Sequence, residues 1–353
     1  MCIRDRDLVG LANFRYHWFP ASNLLNRVTF DLGFKRFNRF YNENNDYYLA
    51  YSRMVPKLTF ELGNSVTSSQ KQTIQLRTIF LREETAQFSR DSMNFGEYIG
   101  NVSEGSTIYE LAYQLENNRA LNPYRLRLVL EHQSYENVKG NQSYWKAAVD
   151  WKGAYTYQVD RSVDYRIFVG GFLKNTERNA GNVSNRSQRA SFSLTSEGFN
   201  DYKYDELFFG RAENTGVLSQ QISINDGGFK NALGSGQASN LGNSNSFVVA
   251  INLKADLPQA LPGNIPLKPY FDIGYYDNAQ PIGSEDTFSD QLVWSGGVML
   301  DFFDSRVGIY FPIVNSSNLK QLYSQRGNFF TRITYQLDFK RSNPLDLMNE
   351  VEL

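Results

Sequence analysis

The chain has 353 residues, 36 basic against 37 acidic side chains for a net charge of -1, and 15% aromatic content. This balance gives no electrostatic steering toward nucleic acid or anionic head groups, and a single cysteine, Cys2, excludes an intrachain disulfide and a thiolate zinc cluster. A run of about 18 uncharged apolar residues is nowhere present, which excludes a helical membrane span but not a barrel, whose strands hide half their side chains from lipid.

The apolar inventory leans towards strands, with 22 Tyr and 26 Phe set against 5 Met. Met1-Cys2-Ile3-Arg4-Asp5-Arg6 has no signal-peptide pattern and looks like translated adapter sequence, so the gene is expected to continue upstream. Residues 1–24 are expected as an N-terminal extension, 25–340 as a β-barrel and 341–353 as a C-terminal tail.

Within 25–340 the pattern alternates with period two, broken at intervals of about 10 to 20 residues by Asn, Gly, Asp and Ser clusters. Val28, Phe30, Leu32 and Phe34 oppose Thr29, Asp31, Gly33 and Lys35; Leu58, Phe60 and Leu62 oppose Thr59, Glu61 and Gly63. Tyr109, Leu111, Tyr113 and Leu115 face away from Glu110, Ala112, Gln114 and Glu116, and Leu126, Leu128 and Leu130 from Arg125, Arg127 and Glu131. Ala147, Val149, Trp151, Tyr155 and Tyr157 oppose Lys146, Asp150, Lys152 and Thr156, and Tyr165, Ile167, Val169 and Leu173 continue the apolar series. The last third repeats it at Phe247, Val249, Ile251 and Leu253, at Phe271, Ile273 and Tyr275, and at Leu292, Trp294, Val298, Leu300 and Phe302. Val307, Ile309 and Phe311 follow, then Ile333, Tyr335, Leu337 and Phe339.

A soluble sandwich also alternates. Recurrent Tyr and Trp near strand ends, as in Tyr144-Trp145 and Tyr275-Tyr276, and apolar faces three or four residues long favour a bilayer instead. Long polar loops at Arg178 to Arg189 and Asn231 to Ser246, against a tight turn at Asp304-Ser305, fit a barrel with long loops on one rim. The fold class is therefore all-β, an antiparallel transmembrane-type barrel of roughly 12 to 14 strands located in the bacterial outer membrane. Helix is expected only in the terminal stretch Pro344 to Leu353.

Candidate chemistry is sparse. His17, in Tyr16-His17-Trp18-Phe19, reads as part of an interfacial aromatic cluster, and neither it nor His132 sits in an H-E-x-x-H context. A barrel-borne lipid hydrolase would want a His beside a Ser, but in Glu131-His132-Gln133-Ser134 adjacent strand residues point to opposite faces. Glu83-Glu84, Asp205-Glu206 and Glu285-Asp286 read as solvated rim charge. The inward set of Asp31, Lys35, Glu61, Glu110, Glu116, Arg125, Arg127, Lys146, Asp150 and Lys152 mixes both signs, the pattern of a cross-linked, plugged lumen. Asp226-Gly227-Gly228 and the Asn-x-Ser triplets read as turn formers. No catalytic, cofactor-binding or metal residue is assigned in this chain.

The C-terminal third, with Trp294-Ser295-Gly296-Gly297-Val298-Met299-Leu300, Val307-Gly308-Ile309-Tyr310-Phe311-Pro312-Ile313-Val314, Arg332-Ile333-Thr334-Tyr335 and Asn343-Pro344-Leu345, resembles the tail of gluzincin-type, membrane-alanyl-aminopeptidase-like zinc metallopeptidases of diderm bacteria. Tyr204 to Arg211 fits the same resemblance. It implies a non-catalytic barrel anchoring an upstream zinc aminopeptidase domain, with the zinc held there and not in this chain. The partners expected are outer-membrane lipid, the barrel-insertion machinery and that upstream domain, with no nucleic acid. The other reading is a stand-alone outer-membrane pore or secretion channel.

Overall fold

A computed structural model of the chain describes residues 10–20, 24–42, 47–63, 68–89, 96–137, 140–176, 191–211, 216–233, 241–258, 265–277, 291–303 and 305–338. The described residues are all-β, with 17 strands, and the chain divides into two compact units: Met1–Tyr113 with Leu130–Ser143, and Gln114–Val129 with Tyr144–Leu353.

In the first unit β1 (Gly10–Trp18), β2 (Leu25–Asn42), β3 (Tyr47–Leu62) and β4 (Gln70–Phe88) form an antiparallel meander. Strand β1 falls inside the stretch expected as an N-terminal extension, and its register sets Tyr16 opposite Phe30 and His17 opposite Thr29. β5 (Tyr98–Asn117) and β6 (Tyr124–Asn137) contribute residues to both units.

The burial pattern decides between sandwich and membrane sheet. In β2 the polar residues Thr29 and Asp31 are 8% and 6% exposed, while the apolar Phe34 of the same strand is 40% exposed. Asp31 accepts from Arg15 of β1 and lies 3.0 Å from Lys57 Nζ of β3, so three strands share a charge cluster centred on one buried carboxylate. Leu58, Leu76 and Phe80 are exposed on the other face, with Leu58 and Leu76 paired across β3 and β4. A water-soluble sheet leaves its polar face to solvent; this one presents an apolar face and buries charged residues beside apolar ones such as Val55, Ile79 and Leu81, as a strand set between lipid and an enclosed interior does.

The second unit holds most of β7 (Gly140–Gln158), then β8 (Arg161–Asn175), β9 (Phe192–Ser193), β10 (Ser196–Glu197), β11 (Gln221–Ser223), β12 (Asn243–Ser244), β13 (Phe247–Ala255), β14 (Leu267–Tyr276), β15 (Leu292–Phe302), β16 (Val307–Asn315), the helix α1 (Ser317–Arg326) and β17 (Thr334–Leu337). The hydrogen-bonded order is β7-β8-β13-β14-β15-β16-β17-β11-β10, with β12 and β9 as a separate pair. Every pairing in this order is antiparallel except that of β11 with β17, which is parallel. In β13 and β14 Phe247, Ile251, Leu253, Phe271 and Tyr275 are exposed, and Asn252, Tyr270 and Asp272 are buried. A bulge at Gly296/Gly297 accommodates Pro312 in the neighbouring strand; a Cβ on Gly297 would fall 2.0 Å from the Phe311 carbonyl oxygen, so only glycine fits.

Residues 191–211 and 216–233 lie on the buried face of this unit. Phe192, Leu194, Phe229 and Leu233 pack with Leu241, with Phe168, Val248, Ala250, Tyr276 and Val293 of the strands, and with Leu319, Leu322 and Tyr323 of α1. This corrects two sequence expectations. Asn231 to Ser246 is not simply a rim loop, because Asn231, Ala232, Leu233 and Leu241 are buried; the two leucines are the apolar anchors in an otherwise polar run. A helix occurs at Ser317–Arg326, where only the terminal stretch was expected to be helical. Leu319, Leu322 and Tyr323 recur at helical spacing, and Gly327, at φ 96, ends it. Arg178 to Arg189 and Pro344 to Leu353 lie outside the described residues. The tight turn near Ser305 is present, with Arg306 N donating to the Phe303 carbonyl at 3.1 Å. Among the described residues twelve strands have nine or more residues and five are shorter, against the roughly 12 to 14 expected.

Candidate functional site

The buried face of the second unit carries a polar centre where the segment 227–230 meets four strands. Lys230 Nζ lies 2.5 Å from Asp272 Oδ1, and Lys230 N donates to Asp272 Oδ2 at 3.1 Å. Asn252 Nδ2 donates to Asp272 Oδ1 at 2.9 Å and to the Gly227 carbonyl at 3.0 Å. Arg166 reaches Asn252 Oδ1 at 3.2 Å and holds Asp150 in a two-point contact at 2.9 and 3.1 Å. Thr334 of β17 donates to the Lys230 carbonyl. Gly228 makes this approach possible: its φ is +65, and a Cβ there would stand 2.3 Å from an Arg166 nitrogen. Burial pushes the Lys230 ammonium below its usual range against the opposing pull of the Asp272 carboxylate.

One further contact ties the segment to the sheet, and one organises the segment internally. Lys146 of β7 donates to the Ser191 carbonyl at 3.0 Å and sits among aromatic rings of both the sheet and the segment. Arg211 donates to the carbonyls of Gly198, Asp201 and Glu206 and to the Asp201 carboxylate, with Tyr204 and Phe208 against its guanidinium. At the end of the strands near Ser305, Lys254 lies 3.2 Å from Asp301 and 3.4 Å from Asp164, and Lys268 lies 3.0 Å from Asp301 and 3.1 Å from Asp256.

The residues singled out from sequence fall into structural places. His17 Nδ1 is 3.0 Å from Thr29 Oγ1. His132 stacks on Tyr109 with ring centroids 6.5 Å apart, while Glu131 and Gln133 are buried. Glu84 is not simply solvated rim charge: its Oε2 accepts from Ala50 N at 3.0 Å and from Asn101 Nδ2 at 3.3 Å. Asp205 and Glu206 donate their backbone N–H groups to Asp201, and Glu285-Asp286 lies outside the described residues. Of the inward set, Asp31, Glu110 and Lys146 are buried, and Glu61 and Asp150 are ion-paired with Arg27 and Arg166. Among the described residues no group of three or more His, Cys, Asp or Glu side chains is placed to hold a metal ion. The sequence reading passed over Arg166, Lys230, Asn252 and Asp272. Three of them were open to the alternation rule, since Arg166, Asn252 and Asp272 each stand between two apolar residues of one strand.

No protein-family profile and no curated protein matches the chain. Among solved structures it is similar to BamA from Haemophilus ducreyi lacking POTRA domains 1-3, at 9% identity and a TM-score of 0.41 over 87% of this chain and 59% of that one. It is also similar to CdiB from Acinetobacter baumannii, at 11% identity and a TM-score of 0.34 over 87% of this chain and 48% of that one. The chain thus spans less than two thirds of either neighbour. The described residues have the all-β class that the sequence pattern predicts. The resemblance to zinc aminopeptidases is corrected here: no peptidase profile and no curated peptidase matches the chain, and the motifs that carried it are short strand patterns.

Proposed function

We propose that the chain is a non-catalytic outer-membrane β-barrel that serves as a pore for transport or secretion, closed at rest by its own segment 191–233. One observation carries this reading: the strands expose an apolar face, and the buried face, which carries charged groups among apolar ones, is occupied by polypeptide pinned to the strands at Lys230 and Lys146. An anchor alone has no use for a removable filling, whereas a conduit needs a way to keep solutes from leaking when idle. Its partners on this reading are outer-membrane lipid, the barrel-insertion machinery and the transported substrate.

Planar-bilayer conductance tests it. The wild-type chain is expected to show low, infrequent conductance, and a variant with residues 192–233 replaced by a short Gly/Ser linker is expected to show steady, large-conductance openings. Equal conductance from both chains, or silence from a linker variant that has inserted, overturns the reading.

A further inference from the structure

We infer that the segment 221–230 is a coupled clamp: its seat on the buried face and its cap on the edge of β17 release together, so the inside cannot open without exposing that strand edge. The inference rests on the pore reading for its purpose and on the following geometry for its substance. β17 pairs with β16 on one side, from Val307 opposite Leu337 to Tyr310 opposite Thr334. Its other side is taken by β11, with Gln221 opposite Tyr335 and Ile222 opposite Gln336. This is the single parallel contact in the unit's main sheet order, and a segment from the buried face supplies it. Ile222 also packs with Tyr270, Met299 and Tyr310, so the cap has an apolar footing.

The seat follows at once in sequence. Between Ser223 and Lys230 the chain turns tightly, with Gly228 N donating to the Asn225 carbonyl at 2.9 Å. That turn leaves no slack between the β11 pairing and the Lys230 contact with Asp272. Thr334, the first residue of β17, is itself bonded to the Lys230 carbonyl, so cap and seat also meet directly. Lifting Lys230 off Asp272 therefore pulls on β17 at two points, and a strand edge with unmet N–H and C=O groups is open to pairing by another strand.

Hydrogen exchange on the full chain in lipid nanodiscs tests the coupling through two different perturbations. Lys230→Met removes the charge that satisfies Asp272, and Gly228→Val drives a side chain into Arg166 and Asn252 while leaving the Lys230 and Asp272 side chains themselves in place. In each, amides of 221–223 and of 334–337 are expected to exchange faster together, by about tenfold or more. Faster exchange at 192–223 with β17 unchanged overturns the coupling. A Cys pair at Ile222 and Gln336, in a Cys2→Ser background, keeps the test decisive where a loosening variant fails to fold. The oxidised bridge is expected to form in the otherwise unchanged chain and to slow exchange across 224–230, and a bridge that leaves 224–230 unaffected overturns it. Joint release in a chain that never conducts would sink the pore reading while supporting the clamp.

Discussion

The Lys146 ammonium lies 4.5 Å from the ring centroid of Tyr202, and Tyr144, Phe172 and Phe192 complete the enclosure at 5.0, 5.1 and 5.1 Å. Lys146, Tyr144 and Phe172 belong to the sheet, whereas Tyr202 and Phe192 belong to the segment on its buried face. One desolvated cation thus ties the two, and such contacts are worth about 2 kcal/mol when water is excluded. Lys146→Met is expected to destabilise the attachment of residues 191–202 by about 1 to 3 kcal/mol, with the bond to Ser191 lost as well. Limited proteolysis of the lipid-reconstituted protein checks this. Cleavage near Tyr202 should accelerate in Lys146→Met and less so in Lys146→Arg, and unchanged cleavage in both would refute the role.

In the first unit the charge pairing is of a different kind, because both partners sit on strands. Arg77 of β4 donates to Glu110 of β5 at 2.7 Å, and the Glu110 side chain is 1% exposed. Removing a partner from a buried pair costs about 3 kcal/mol or more, while removing both is often close to neutral. Arg77→Met should lower stability in urea titrations from lipid vesicles by about that amount, and Arg77→Met with Glu110→Gln should recover most of it. A double variant as unstable as the single one would show that shape and not charge compensation governs the site.

Legibility from sequence followed the physics of each element. Wherever a long strand alternates, as in Val28 to Lys35 or Phe247 to Leu253, period two identified strand and face alike, because lipid on one side and a polar interior on the other impose the strongest contrast available. The mixed-charge face was legible in Asp31, Glu110 and Lys146 for the same reason. The segment on the buried face was not, since its strands β9, β10 and β11 are two or three residues long and too short to show a period. Its anchors Leu194, Phe229 and Leu233 are isolated apolar residues in Asn-, Gly- and Ser-rich sequence, and composition alone assigned part of that run to a rim loop. The pair Lys230 and Asp272 is separated by 42 positions, and only the fold brings the two together.

Ile251 tests which side of the sheet meets lipid. It lies at the middle of the nine-residue β13, is 39% exposed, and is in register with Ile167 and Ile273 of the flanking strands. A lysine at a lipid-facing midpoint costs about 2 to 4 kcal/mol, falling towards the interfaces. Ile251→Lys should therefore depress folding into vesicles by that amount, and Leu253→Lys, two residues nearer the strand end, by less. Tolerance of lysine at Ile251 would mean that this face is not in the bilayer.

Asp256 makes the strand end near Ser305 sensitive to acid. Burial raises the carboxyl, but hydrogen bonds from Ser162 N at 2.8 Å and Oγ at 3.3 Å and the Lys268 ammonium at 3.1 Å outweigh it and hold the group below its ordinary range. A carboxyl depressed by folding contributes stability that is fully present above its unfolded value of about 3.9 and is lost as pH falls through the lower folded value. Asp256→Asn should consequently be less stable than wild type at neutral pH, with the gap closing below about pH 4. Unfolding in urea at pH 7 and pH 3 measures both gaps. A gap of the same size at the two pH values would show that the asparagine costs packing and not charge, and would detach Asp256 from the Lys268 network.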